Sequence, residues 1–203
     1  MFITFEGIEG SGKSTQAELL NNFLIKQGHR VSMTREPGWG ALGDLIRKVI
    51  LDEREIVLDP MAELFLFCAD RAQHVRDFIN PKLTDGEIVI CDRYFDSTIV
   101  YQGHGRKLDK RLVKKIAVNS TLNVIPDITF LLNLPVRSGL SRLKGRGDTT
   151  KMDEEPLEFH ELIRQGYMLL SRRDPERIIN INADREVEEI HEEILNIVKH
   201  KLQ

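Results

Sequence analysis

Apolar residues along the chain alternate between short runs rich in β-branched or aromatic side chains and longer stretches with helical spacing. Phe2, Ile3, Thr4 and Phe5 read as a buried first strand. Ala17, Leu20, Phe23 and Leu24 then recur at helical intervals, and Gly28 stands where a glycine closes a helix. Residues 29–36 read as a second strand, and a turn at Pro37 and Gly38 leads into a helix carrying Leu42, Leu45, Ile46 and Val49. Asp59 and Pro60 fit the cap and first position of a long helix expected to end before Pro81. Residues 87–91, 127–134 and 177–181 read as three further strands, the last followed by an amphipathic helix through Leu195 and Val198. Strands separated by helices predict an α/β fold, a five-stranded parallel sheet flanked by helices on both faces.

The first strand runs into Gly7-Ile8-Glu9-Gly10-Ser11-Gly12-Lys13-Ser14, followed by Thr15. This fits the phosphate-binding pattern G-x-x-x-x-G-K-[ST] without a mismatch, in the required strand–loop–helix order. Glycine at 7, 10 and 12 lets successive N–H groups turn inward around a phosphate, and the helix N-terminus adds positive partial charge there. Lys13 is placed to reach the β- and γ-phosphates, and the Ser14 hydroxyl to ligate Mg²⁺. These residues predict a P-loop NTPase site for ATP, at the carboxyl edge of the sheet.

The chain has 203 residues, 41% hydrophobic and 30% charged, with a net charge of −3. That composition suits one α/β domain over residues 1–203 and does not suggest a broad nucleic-acid surface. Cys68 and Cys91 lie in apolar surroundings, which fits free thiols in a reducing compartment. With no signal-peptide pattern and no stretch approaching ~20 apolar residues, a cytoplasmic protein without membrane association is expected.

Other residues carry chemistry that the local sequence reads in more than one way. Asp92 directly follows the strand at 87–91 and precedes Arg93; it reads as an acid for Mg²⁺, as a helix cap, or as an ion-pair partner of Arg93. Phe67 and Arg71 share a helix face, where spacing alone favours a core phenylalanine with a solvated arginine over a base-binding pair. Arg35, Glu36 and Arg47 flank the Pro-Gly turn, as surface charges or as a second anion site. Residues 141–155 hold Arg142, Lys144, Arg146 and Lys151 among glycines and acids, either a solvated loop or a mobile cationic one.

Taken together, FEGIEGSGKST, TREPG at 34–38, the F-x-x-x-R of Phe67 and Arg71, DRY at 92–94, YQG at 101–103 and FHELIRQGY at 159–167 resemble the thymidylate kinase family, in the family's order. The resemblance implies a nucleoside monophosphate kinase-like fold, phosphorylation of dTMP to dTDP with MgATP, and a homodimer. It implies that Phe67 stacks on thymine, that Arg71, Thr98 and Gln102 face the base, and that Glu9 sits near the sugar hydroxyl. Arg47 and Arg93 would grip the dTMP phosphate with Glu36 nearby, and lid arginines Arg142 and Arg146, in a lid at about 142–154, would close over ATP. Lys13, Arg93, Arg142 and Arg146 are thus the expected catalytic cations, and Ser14 and Asp92 the expected metal ligands. Two positions depart from the family pattern: Trp39 stands where a small residue is usual, and Lys151 where the lid usually has an arginine.

The acceptor phosphate is ionised near neutral pH, so this reaction needs alignment and charge stabilisation rather than a general base. A deoxynucleoside kinase, which needs a carboxylate base for a sugar hydroxyl, and another pyrimidine monophosphate kinase are the alternatives. A binding module retained without turnover is disfavoured by the intact Lys13, Ser14, Asp92 and Arg93. A GTPase switch is excluded by the lack of N-K-x-D and D-x-x-G motifs.

Overall fold

The computed structural model describes residues 1–143 and 149–202. Five parallel strands, β1 (Phe2–Glu6), β2 (Val31–Arg35), β3 (Ile88–Asp92), β4 (Ile128–Asn133) and β5 (Ile178–Asn182), lie in the order β2-β3-β1-β4-β5. β1 is central and buried along its whole length. Its side chains alternate between two apolar layers, as a strand covered on both faces requires. Ile3 and Phe5 pack with Ala17, Leu20 and Leu24 and with Ile190, Ile194 and Val198. Phe2 joins Val89, Cys91, Val75, Ile79 and Ile99 in the other layer. Burying a side chain such as Phe5 completely contributes roughly 1.5–3 kcal/mol. The register sets Phe5 opposite Asp92 and Arg35 opposite the same Asp92. Glu6, Arg35 and Asp92 therefore end together at one edge of the sheet.

The helices are α1 (Lys13–Lys26), α2 (Gly40–Arg47), α3 (Pro60–His74), α4 (Asn80–Thr84), α5 (Phe95–Val100), α6 (Lys110–Asn119), α7 (Val136–Leu143), α8 (Leu157–Arg173) and α9 (Val187–Leu202). Asp59 caps α3, its carboxylate accepting from the Met61 amide at 2.8 Å, with Pro60 at the first position as expected. The helical path does not stop before Pro81. A wide five-residue turn, Val75–Ile79, carries it into α4, where Pro81 sits in the first turn. Nor does α2 bury all of the face that the sequence suggested. Leu42 and Leu45 are 45% and 65% exposed, whereas Gly43 and Ile46 face inward. Gly43 has no room for a side chain, since a Cβ there would stand 2.5 Å from Asp70 Oδ1 and 3.0 Å from the Gly38 backbone. Helices α5, α6 and α7 were not singled out in the sequence, although Leu112, Val113, Ile116 and Ala117 recur at helical spacing along α6.

Candidate active site

The carboxyl edge of the sheet opens into one cleft of about 360 Å³. Glu9, Gly10, Lys13, Ser14 and Asp92 line one part of it, and Phe67, Arg71, Thr98, Tyr101 and Gln102 another, with Arg35, Glu36, Arg47 and Arg93 also in its wall. Many of the residues that the sequence singled out at separate places thus share a single cavity, although Arg142 and Lys151 are not in its wall.

At the P-loop, Gly12 caps α1 with φ +91°, a conformation that L side chains rarely adopt. The helix ladder begins with the Gln16 amide donating to Gly12 O at 3.0 Å, so the amides of Lys13, Ser14 and Thr15 precede it and face the loop's anion-binding end. Lys13 Nζ donates to the carbonyls of Ile8 at 2.7 Å and Gly7 at 3.2 Å, and to Ser11 Oγ at 3.4 Å. Burial, aided by the nearby Arg93 charge, brings the ammonium down to about 8. Gly10 approaches α7 closely: a Cβ there would lie 2.2 Å from the Gly139 carbonyl oxygen, and one on Gly139 would lie 2.5 Å from that of Glu9. The two glycines let backbone pack on backbone, which carries Arg142 to the loop, where its guanidinium donates to Gly10 O at 3.4 Å. Arg146 lies outside the described residues.

Asp92 is the last residue of β3 and accepts a hydrogen bond from the Ser14 hydroxyl. A hydroxyl beside a carboxylate is a hard-oxygen donor pair that fits Mg²⁺, which takes few protein ligands and completes its shell with water and phosphate oxygens. Among the described residues no group of three or more His, Cys, Asp or Glu could hold a metal alone.

Arg93 follows with φ +70°, unusual for a non-glycine residue. That backbone turn sends its guanidinium back across the P-loop, where it donates to Gly7 O at 3.0 Å and to Glu9 Oε1 at 3.0 Å and lies over the Tyr101 ring. Glu9 also accepts from the Tyr101 hydroxyl and, at 3.2 Å, from His160 Nδ1. Burial alone would raise the Glu9 carboxyl, but His160, Arg93 and Lys13 outweigh it and hold it at about 2. Behind this layer Glu6 accepts from the amides of Tyr94 and Ser97 at 2.8 and 3.2 Å, and from the hydroxyls of Ser97 and Tyr167 at 2.6 and 2.7 Å. Burial, with Asp96 nearby, still pushes its carboxyl up to about 7.

On the other wall, Arg71 is almost fully buried and donates to Glu36 Oε2 at 2.8 Å. It is therefore not the solvated arginine that helical spacing alone favoured. Gln102 Nε2 donates to Glu63 at 2.8 Å, leaving its Oε1 buried without a partner among the described residues. Glu63 is itself held by Arg106 through two donors at 3.1 Å. Arg47 donates to Pro37 O at 2.9 Å, beside Gly38. Lys151 has a different place from Arg142: its ammonium donates to the carbonyls of Val49, Glu53 and Ile56 at 3.1, 2.6 and 3.2 Å. It closes the wide turn Lys48–Asp52 that continues α2. Trp39 turns its ring onto His74 rather than narrowing the cleft.

His74, Ser97 and Glu63 were not singled out in the sequence, because nothing in local spacing distinguishes a buried polar partner from an ordinary helix or strand residue. Glu6, Tyr101, His160 and Tyr167 did fall inside quoted motifs, without an assigned role.

The model of the thymidylate kinase family matches residues 5–194. The thymidylate kinase of Desulfovibrio desulfuricans is 47% identical over 197 residues, covering 94% of this chain and 91% of that protein. The thymidylate kinase of Carboxydothermus hydrogenoformans is 46% identical, with 95% and 94% covered. The crystal structure of thymidylate kinase from Ehrlichia chaffeensis superimposes with a TM-score of 0.79 at 34% identity, covering 98% of both chains. With this agreement along nearly its whole length, and with a complete P-loop at the edge of its parallel sheet, the chain belongs to the thymidylate kinase family.

Proposed function

We infer that the cleft carries out the family's reaction, transfer of the γ-phosphoryl group of ATP to the phosphate of dTMP, giving ADP and dTDP. The observation that carries this reading is the single cavity lined both by the P-loop residues Lys13 and Ser14 and by Phe67, Arg71, Thr98 and Gln102. A phosphate donor and a base-bearing acceptor then lie end to end, which is the alignment that in-line transfer requires.

In this reading residues 7–15, including Ile8 and Ser11, cradle the ATP phosphates through backbone amides, with Lys13 neutralising the β- and γ-oxygens. Ser14 and Asp92 would hold Mg²⁺, which when bound supplies positive charge against the phosphates. Arg93 and Arg47 grip the acceptor phosphate, Glu36 stands beside them, and Phe67 stacks on thymine while Arg71, Thr98 and Gln102 meet its polar edge. Glu9 faces the sugar. Its carboxyl is held at about 2 and is already engaged by three donors, which makes it a poor base for a sugar hydroxyl. That weighs against a nucleoside kinase and for an acceptor whose oxygen is already ionised. Arg142, and Arg146 in the same 142–154 stretch, serve as the lid cations that meet charge on the transferred group within one domain spanning the chain.

A homodimer is supported by Phe65 on α3 and Leu112 on α6, which are 54% and 42% exposed on helices packed together through Leu64, Cys68 and Val113; sedimentation velocity would report a monomer if this is wrong. Two buried free cysteines fit a cytoplasmic setting. Among the described residues no helix is long and apolar enough to cross a membrane.

The test is coupled ADP release with each nucleoside monophosphate and with thymidine as acceptor. dTMP should give the highest kcat/KM and thymidine no turnover; preference for thymidine would replace the reading with a nucleoside kinase.

A further inference from the structure

Trp39 occupies a position where a small residue would suffice, and its ring leaves the cleft to cover another side chain. The indole lies on His74 with centroids 5.3 Å apart and 18° between planes, and Phe78 stacks on the same imidazole at 5.7 Å and 24°. Trp39 and Phe78 also touch each other at 5.3 Å. His74 is fully buried beneath them. A buried imidazole is stable only if both nitrogens find partners, and both do. Nε2 shares a hydrogen bond with the Thr34 hydroxyl at 2.9 Å, and Nδ1 with Glu36 Oε1 at 3.0 Å.

The other oxygen of that carboxylate, Oε2, accepts from Arg71 Nε at 2.8 Å. Arg71 in turn lies over the Tyr94 ring, its carbon 5.3 Å from the centroid, and its Nη1 reaches Ser120 Oγ at 3.4 Å. A continuous line of contacts therefore runs from the ring of Trp39 through His74 and Glu36 to the guanidinium in the cleft wall. A carboxylate held at one oxygen can swing about its side-chain torsions, whereas one held at both oxygens by groups on α3 has a fixed plane. Arg71 and His74 are three residues apart on that helix and grip the two oxygens of a single carboxylate from the Pro37 turn.

We propose that His74, clamped by Trp39, is a positioning residue for the acceptor nucleotide: it fixes the Glu36 carboxylate and so holds Arg71 in the orientation that meets the base. This rests on the placement of the acceptor base against Phe67 and Arg71 given above. The consequence is that a residue outside the cleft sets dTMP affinity while ATP affinity is untouched, because the hydrogen bonds of Lys13 and Ser14 among the described residues go to Gly7, Ile8, Ser11 and Asp92 and to none of these four.

The test is steady-state kinetics of His74→Phe, Trp39→Ala and Trp39→Phe, with Arg71→Ala as control and melting temperature recorded for each. His74→Phe keeps an aromatic ring under Trp39 but loses both ring nitrogens. It should raise KM for dTMP by about 10-fold, the weight of one charge-assisted hydrogen bond, with KM for ATP within twofold of the parent. Trp39→Ala should raise KM for dTMP by ~3-fold or more, and Trp39→Phe should restore it. If His74→Phe does not fold, Trp39→Ala against Trp39→Phe decides the matter. dTMP KM values within twofold of the parent in folded His74→Phe or in Trp39→Ala would overturn the proposal. So would a joint rise in both KM values with a lowered melting temperature, which marks a role in packing alone. Should Arg71→Ala also leave dTMP kinetics unchanged, it is the acceptor placement itself that fails.

Discussion

Lys13 shows how a single position couples burial to function. The residue is 7% exposed, and burial together with the Arg93 charge lowers its ammonium to about 8. A lysine this close to neutrality is cationic at pH 7 and loses its charge within the range where enzymes are assayed. The expected result is that kcat/KM for ATP, which reports the free enzyme, falls above about pH 8. The kcat profile should stay level to higher pH, because bound phosphates pull the ammonium back up. Lys13→Ala should lower kcat by about 10²-fold or more with the melting temperature little changed. A flat kcat/KM profile through pH 9.5, or near-normal turnover in folded Lys13→Ala, would remove Lys13 from its assigned role.

Helix α7 and the segment after the undescribed residues meet the site in different ways, and the difference separates two cations of similar sequence appearance. The backbone of α7 touches the P-loop at Gly139 and Gly10, so Arg142 is delivered to the donor side of the cleft by the element itself. Lys151 is instead committed to three carbonyls at the end of the turn after α2. Arg142→Ala is therefore expected to lower kcat by ~10²-fold, less than a lone arginine finger's full effect, with an unchanged melting temperature and little change in dTMP KM. Lys151→Ala should do the reverse, losing about 1–2 kcal/mol of stability with kcat nearly intact. Stopped-flow single turnovers and thermal melts on the two variants distinguish these outcomes; a kcat defect in Lys151→Ala larger than that in Arg142→Ala would reverse the assignment. The same substitution at Arg146 tests the other lid arginine expected from the sequence.

At the scale of the molecule, Glu6 joins the end of β1 to α5 and α8 through four donors. Its carboxyl is raised from 4.5 to about 7, burial being the largest cause. The folded protein then keeps a proton that the unfolded chain releases, so this group's contribution to stability is complete below pH 4.5 and is lost as pH rises to about 7. Glu9 works in the opposite sense. Lowered to about 2, it contributes stability that is complete above pH 4.5 and lost as pH falls toward 2. Glu6→Gln should flatten the decline in unfolding free energy between pH 4.5 and 7 by a margin on the order of 1–3 kcal/mol. Denaturant melts of both proteins at pH 5 and pH 7.5 measure it, and an equal decline in the two would show that Glu6 is ionised throughout.

The P-loop was legible in the sequence because its chemistry is local: eight consecutive residues, flanked by a strand and a helix, contain every group that cradles a phosphate. The inner strands β1, β3 and β4 were legible for a similar reason, since burial on both faces demands nearly unbroken apolar runs, whereas the edge strands β2 and β5 are only partly buried. Pro81 and the exposed Leu42 and Leu45 were misread because tertiary packing, through a wide turn in one case and the Gly38–Gly43 approach in the other, overrides apolar periodicity. Only the fold decided what Glu9 meets. Arg93, Tyr101 and His160 are 84, 92 and 151 residues away in sequence. The strand order β2-β3-β1-β4-β5 and the left-handed turn at Arg93 bring them to one carboxylate. The relay from Trp39 to Arg71 was hidden likewise, because a hydrogen bond between buried side chains depends on their positions in space and leaves no period along the chain.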